Sequence, residues 1–416
     1  MTPEIKHRIE KIRRGNVPDG YKKTKAGILP ADWDVHMLGE CLSRVEKPVE
    51  VKPNKVYTQI GIRSHGKGIF YKEPVTGAAL GNKSVFWIEP DCFIVNIVFA
   101  WEQAIGKTTQ SEVGMIGSHR FPMYRPVNDR VDIDYLISYF LTKRGTDILE
   151  AASPGGAGRN KTLGQERFLK SKIVLPPIGE QQKIAAILTT QDRVIELKEK
   201  RLAEKQRQKK YLMQQLLTGK KHLPGFYGAW SFPKAKELFQ SVSDKDHNGD
   251  LAVLSSTQDR GIVPRDEVDI DIKYDACSLV NYKKVSKGNF VISLRSFQGG
   301  IEYSTYTGLV SPAYTVLSSR KEISDGYYKQ FFKSADYINR LNVAVYGIRD
   351  GKQISYEDFG RLRIPYPPIK EQDAIAEVLS TADHEIDLLQ QDIEQEKQKK
   401  KALMQLLLTG IVRVKT

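Results

Sequence analysis

The stretch "LPPIGEQQKIAAIL" (Leu175–Leu188) returns near the far end of the chain as "YPPIKEQDAIAEVL" (Tyr366–Leu379), 191 positions later. Aligned without a gap, residues 161–219 and 352–410 share about 25 of 59 residues, and both copies close on "LLTG" (Leu216–Gly219 and Leu407–Gly410). Self-similarity at this separation marks a duplication. Within each copy the proline pair (Pro176-Pro177, Pro367-Pro368) forbids helix upstream and holds the preceding residues extended. Beyond the prolines the apolar positions take helical spacing. Ile184, Leu188, Ile195, Leu202, Leu212 and Leu216 form one seam, and Ile375, Leu379, Ile386, Ile393, Leu403 and Leu407, flanked by Leu389, form the other. Gly219 and Gly410 stand where a C-terminal cap belongs. Each seam predicts a helix of about 38 residues, or about 57 Å. So long a helix with so narrow an apolar stripe needs a partner.

Charge selects that partner. Residues 180–217 carry nine Lys/Arg against five Asp/Glu, whereas residues 371–408 carry four against nine. The two helices should therefore pair with each other rather than with copies of themselves. A parallel arrangement would oppose lysines to Lys397, Lys399, Lys400 and Lys401. An antiparallel one sets Lys198–Lys210 beside Asp383, Glu385 and Asp387. Exposed pairs contribute only tenths of a kcal/mol each, but together they bias the orientation. The expectation is an antiparallel pair.

A fainter duplication runs through the remaining chain. "ILPADW" (Ile28–Trp33) is echoed by "HLPGFYGAW" (His222–Trp230), Phe93-Ile94-Val95 by Phe290-Val291-Ile292, Gly114–Ser118 by Gly308–Ser311, and Phe140 by Phe332. Short β-type runs with Gly and Pro punctuation, and a helix near each end, fill these stretches. The fold class read from this is α/β (α+β): two globular copies separated by two long antiparallel coiled-coil helices, with an internal pseudo-two-fold repeat. Its expected segments are 1–27 (a basic helix over Pro3–Arg14 and lead-in), 28–174 (first globule), 175–221 (central helix), 222–365 (second globule) and 366–416 (C-terminal helix).

Composition limits the function. The chain has 416 residues, 40% hydrophobic and 27% charged, with a formal net charge of +14. The length suits two or more domains, and the basic balance favours a nucleic-acid partner. Cys41, Cys92 and Cys277 are far apart and form no C-x-x-C pair, which argues against disulfides and a zinc cluster. The longest apolar run, Cys92–Trp101, is about half a membrane span. With a charged N-terminal stretch, these features place the chain in the cytoplasm, with no membrane partner.

No catalytic set stands out. "GGAGRNKT" (Gly155–Thr162) resembles a phosphate loop but has Asn160 where the last glycine must be. The seven histidines show no ligand spacing, and no metal site is expected. Two stretches suit DNA instead: "SPGGAGRNKT" (Ser153–Thr162) and "YGIRDGKQIS" (Tyr346–Ser355), at equivalent places ahead of each helix. Their glycines permit close backbone approach. Arg159, Lys161, Arg349 and Lys352 can meet phosphates or read guanine, and Asn160 and Gln353 are adenine-reading types. "LRSFQGG" (Leu294–Gly300) adds Arg295, Ser296 and Gln298.

The doubled "PPI-x-EQ…IA" helix starts, the "LLTG" ends, the "LP…W" openings and the half-repeat resemble the specificity subunits of type I restriction–modification systems (HsdS) over essentially the whole chain. That resemblance implies two target-recognition domains, each reading half of a split, non-palindromic site in double-stranded DNA. It further implies a helical spacer on which two methyltransferase subunits dock, joined by restriction (translocase) subunits that cleave using ATP. The helix starts, Pro176, Pro177, Glu180 and Gln181 with Pro367, Pro368, Glu371 and Gln372, are then the candidates for partner docking. No chemistry or cofactor is implied for this chain; S-adenosylmethionine, ATP and magnesium belong to the partners. The rival readings are a diverged DNA methyltransferase or nuclease, and a coiled-coil scaffold with no DNA role.

Overall fold

The computed structural model describes residues 3–24, 27–155, 161–268, 276–344 and 354–414. They divide into two compact units, Met1–Leu197 with Ile393–Thr416, and Lys198–Asp392. Both long helices are present, Ile178–Leu216 and Ile369–Leu407, each of 39 residues. Each is shared between the units, so each unit holds the head of one helix and the tail of the other.

Both units are built on the same four-stranded antiparallel sheet. In the first, the spatial order is Leu42–Val45, Met123–Pro126, Phe93–Val95, Ile105–Lys107. In the second it is Phe239–Val242, Thr315–Ser319, Phe290–Ile292, Glu302–Tyr303. Numbered along the chain, both run 1-4-2-3. The echo between Phe93-Ile94-Val95 and Phe290-Val291-Ile292 is thus the second strand of each sheet. A hairpin precedes that strand in each unit, Ile60–Ile62 with Ile69–Tyr71 and Leu254–Thr257 with Gly261–Pro264. Two helices follow the sheet, Ile133–Phe140 and Lys143–Ala151 in the first unit, Asp325–Phe331 and Ala335–Ala344 in the second. The basic N-terminal helix spans Pro3–Arg13 and buries none of its residues.

Aromatic rings fill the cores. Phe93, Phe140 and Phe168 pack together in the first unit, with Phe93 and Phe168 stacked at 6.1 Å. Phe239, Phe290, Phe332 and Phe359 do so in the second. Helix ends enter the same cores: Ile184 and Leu188 with Leu407 and Leu408 in one, Ile375 and Leu379 with Leu216 and Leu217 in the other. Nine seam residues are buried, and Leu202, Leu212 and Leu403 are half-buried.

The pairing is antiparallel in both units. In the first, Lys400 Nζ lies 2.5 Å from Asp192, and Gln191, buried in the seam, donates to Glu396 Oε2 at 2.6 Å. In the second, Lys198 meets Asp392 at 2.8 Å, Lys205 meets Glu385 at 2.6 Å, and Lys209 meets Asp383. Asp192–Lys400 and Asp383–Lys209 are the same pair in the two copies, since both partners are displaced by the repeat of 191 positions.

The "LLTG" endings have a geometric cause. Gly219 and Gly410 take φ of +72° and +71°, a left-handed conformation costly for any residue with a Cβ. Beyond them Lys221 N donates to Gln215 O at 3.1 Å and Val412 N to Leu406 O at 3.0 Å, the six-residue closure that satisfies a helix's last carbonyls. A Cβ on Gly219 would lie 3.0 Å from the Trp230 ring, and one on Gly410 would lie 2.6 Å from Pro30.

Candidate nucleic-acid interface

The helix heads hold a buried carboxylate in each unit. Glu180 accepts from Trp33 Nε1 at 3.2 Å, from Arg413 Nε at 2.8 Å and NH2 at 2.9 Å, and from Val414 N at 3.2 Å. Glu371 accepts from Trp230 Nε1 at 2.8 Å, and His222 Nδ1 lies 2.8 Å from its other oxygen. A carboxylate this deep is tolerable only when paired and hydrogen-bonded. Arg413 also reaches Asp32 at 2.7 Å. Its hydrogen bonds to Glu180, and then to Asp32, raise it above the usual arginine range, while its bond holds the Asp32 carboxyl low.

The neighbouring glutamines are equally committed. Gln181 accepts from Asp132 N at 3.0 Å and donates to the carbonyls of Arg130 and Pro176, both at 2.9 Å. Gln372 accepts from Ser324 N at 2.9 Å and donates to Pro367 O at 2.8 Å. Glu180, Gln181, Glu371 and Gln372 are no more than 1% exposed, and Pro176 and Pro367 are buried as well. This corrects the expectation that they face a partner: they are spent inside their own unit, sewing helix head to globule. Only Pro177 and Pro368 of the eight candidates are exposed.

The exposed cations gather elsewhere. In each unit the loop between the second and third sheet strands forms a short helical turn, Ala100–Glu102 in the first and Ser296–Gly299 in the second. The tip of the preceding hairpin docks on it. In the first unit His65 N donates to Glu102 O at 2.7 Å, Gly66 N to Gln103 O at 2.9 Å, and Ser64 Oγ to Glu102 Oε2 at 2.9 Å. The tip's Arg63, His65 and Lys67 are exposed, as is Phe99 on the turn. Lys161 completes the group, its Nζ 5.2 Å from the Trp101 ring and 3.9 Å from Glu150. In the second unit the tip carries exposed Gln258, Asp259 and Arg260, and the turn carries exposed Leu294, Arg295 and Gln298. Arg265 and Arg295 lie close enough to Tyr314 to oppose the upward push of burial on its hydroxyl. Lys283 donates to Tyr314 O at 2.7 Å and is pushed down by burial and then by Lys245. Arg265, Lys283 and Arg295 thus converge around one tyrosine, with Lys245 near Lys283.

Three sequence candidates therefore lie on these faces, namely Lys161, Arg295 and Gln298. Ser296 does not: it is 1% exposed and its Oγ accepts from Ser293 N at 2.9 Å. That contact ties its side chain back to the end of the preceding strand, which corrects the expectation that it touches DNA. Arg159, Asn160, Arg349, Lys352 and Gln353 lie outside the described residues. The hairpin tips went unread in the sequence because their place beside the turn depends on long-range docking. The residues that answer the buried glutamates had a readable signal. Arg413 and His222 stand at the same position of the repeat, three residues past its closing glycines.

Among the described residues, no group of three or more His, Cys, Asp or Glu side chains could hold a metal ion, and no helix is long and apolar enough to cross a membrane.

Comparison with known proteins bears on these faces. The family model described as type I restriction modification DNA specificity domain matches twice, over residues 67–206 and 231–398. The chain is 24% identical to the type I restriction enzyme MjaVIII specificity subunit of Methanocaldococcus jannaschii, over 95% of this chain and 97% of that one. Among solved structures it resembles the HsdS subunit of Thermoanaerobacter tengcongensis (TM-score 0.51, 18% identity, covering 92% of this chain and 98% of that one). It also resembles the type I S subunit of M. genitalium (TM-score 0.54, 13% identity, 92% and 97%). At such identities the structures establish the fold, whereas the doubled family match spans most of the chain. The chain belongs to the type I restriction–modification DNA specificity family, and its part in such an enzyme is sequence specificity rather than catalysis.

Proposed function

We propose that each globule reads one half of a bipartite, asymmetric DNA site with its hairpin tip, its short helical turn and the glycine-containing loop ahead of its long helix. The observation that carries this reading is the recurrence of one constellation, tip docked on turn, at the same point of both sheets, with exposed cations and amides on it. Side chains differ between the copies: Arg63, His65, Lys67 and Lys161 on one, Arg260, Arg295 and Gln298 on the other. Two unlike faces suit two unlike half-sequences. Arginine and glutamine on a turn suit guanine and adenine edges, and the lysines suit phosphates.

The partners are two methyltransferase subunits and the restriction subunits. S-adenosylmethionine, ATP and magnesium act on those subunits and not on this chain. With the head glutamates and glutamines buried, a partner would meet the outer faces of the helices and the exposed Pro177 and Pro368. The two helices act as the spacer between half-sites.

The test is the methylation pattern written by the assembled complex. Arg295→Ala with Gln298→Ala should cost about 1–3 kcal/mol at one half-site and relax its sequence there. Lys161→Ala should weaken binding for all sequences alike and flatten its salt dependence. If the double variant left both half-sequences intact, the turn would not be a reading element. A purified chain that shifted no duplex DNA would favour a scaffold role instead.

A further inference from the structure

The tip and turn that meet in both units are held together by different means. In the first unit the joint is closed by main-chain hydrogen bonds, by Ser64 Oγ donating to Glu102, and by Leu141, whose side chain packs so close to Gly66 that a Cβ there would lie 2.4 Å away. In the second unit the residue that follows the same phenylalanine of the repeat, after Phe332 rather than Phe140, is Lys333. Its ammonium donates to Gln258 O of the hairpin tip at 3.1 Å, to Gly299 O of the turn at 2.9 Å, and to Glu302 of the sheet-edge strand. An ammonium has three protons, and all three are used. One side chain thus joins the tip, the turn that carries Arg295 and Gln298, and the sheet.

The surroundings leave little to replace it. A Cβ on Gly299 would lie 2.8 Å from the Gln258 side chain, and one on Gly300 would lie 2.1 Å from Phe332 O, so turn, tip and helix end are in close contact. Glu302 is 2% exposed, and its second oxygen has no hydrogen-bond partner among the described residues. Burial pushes its carboxyl up, and Lys333 opposes that push. A half-satisfied buried carboxylate is a poor choice for stability, since an apolar pair of similar volume would serve as well or better. Its retention suits a device that fixes geometry.

We propose that Lys333 and Glu302 are positioning residues for base reading by the second globule: they hold the Arg295–Gln298 turn in register with the hairpin tip, so that fidelity at one half-site alone depends on them. This rests on the turn being a reading element, and the controls separate the two claims. The assay is discrimination by the assembled complex between its cognate site and sites with single mismatches in either half, read as methylation rate. Arg295→Ala with Gln298→Ala first identifies the half read by the second globule. Lys333→Met should then lower discrimination at that half about tenfold and leave the other half unchanged.

The double variant Lys333→Met, Glu302→Leu separates positioning from folding. It removes the stranded carboxylate and should recover the parent's melting temperature while remaining relaxed at the same half-site. Where Lys333→Met alone fails to assemble, this double variant and Glu302→Gln carry the test. The proposal is overturned if the double variant discriminates like the parent, or if the variants relax both halves equally. A silent Arg295→Ala, Gln298→Ala control would instead overturn the reading of the turn itself.

Discussion

The two buried carboxylates at the helix heads are answered from different directions. In the second unit both answers come from one short segment: His222 and Trp230 lie on the stretch that joins the central helix to the second globule. In the first unit the same job is divided between the two ends of the chain, with Trp33 near the start and Arg413 near the finish. Tyr21 Oη donates to Gly410 O at 2.7 Å, and Arg8 to Ile411 O at 3.3 Å, so further lead-in residues close on the same tail. Geometry is shared where connectivity is not. The repeated positions keep what the buried carboxylate needs, an indole and a second nitrogen-bearing side chain, and let the identity of that side chain differ.

Removing the cation is the severest way to break this symmetry. Arg413→Ala leaves Glu180 buried with only an indole and a main-chain donor, and breaking a buried pair from one side costs about 3–5 kcal/mol. Amide exchange by mass spectrometry should accelerate over residues 178–190 and stay unchanged over 369–381. His222→Ala should show the converse, with a smaller effect of about 1–3 kcal/mol, because one hydrogen bond is lost rather than several. Equal acceleration of both segments by either variant would show that the clamps are not independent.

Next in size are the closing glycines. Gly410→Ala meets both a left-handed backbone and the Pro30 ring, and Gly219→Ala meets the same backbone but a more distant Trp230 ring. Each should destabilise by at least about 1 kcal/mol, Gly410→Ala by more, as measured by urea unfolding of the matching unit. The smallest effect belongs to the helix seam. Asp392→Lys should cost about 0.5 kcal/mol at low salt, and adding Lys198→Asp should restore it. No recovery in the doubly reversed chain would mean that this pair does not contribute to orientation.

Much of the scaffold was legible because duplication prints its own boundaries. The proline pairs, the apolar seam and the closing glycines recur at a fixed offset, and the distribution of charge along the two helices favours antiparallel pairing. The purpose of the Glu-Gln pairs was not legible. Glu180 and Trp33 are 147 residues apart and Glu180 and Arg413 are 233 apart, and nothing local tells a buried carboxylate from a solvated one. The proposed reading face was legible in part. Arg295 and Gln298 stood out beside a glycine pair, while Ser296 between them turned inward onto Ser293 N. Lys333 and the hairpin tips carried no local signature, since their role comes from docking across the sheet edge.

The dependence of the first unit on Arg413 also orders events in time. A ribosome makes the first globule's strands and the head of the central helix early, yet Ile393–Val414, which complete that unit's core and answer Glu180, are made only after the whole second unit. The globule synthesised first is therefore finished last, and until then it carries an unanswered carboxylate and an open apolar groove where Leu407 and Leu408 belong. A chain cut before Arg413 should therefore leave the first globule loose and more readily degraded, which limited proteolysis would read.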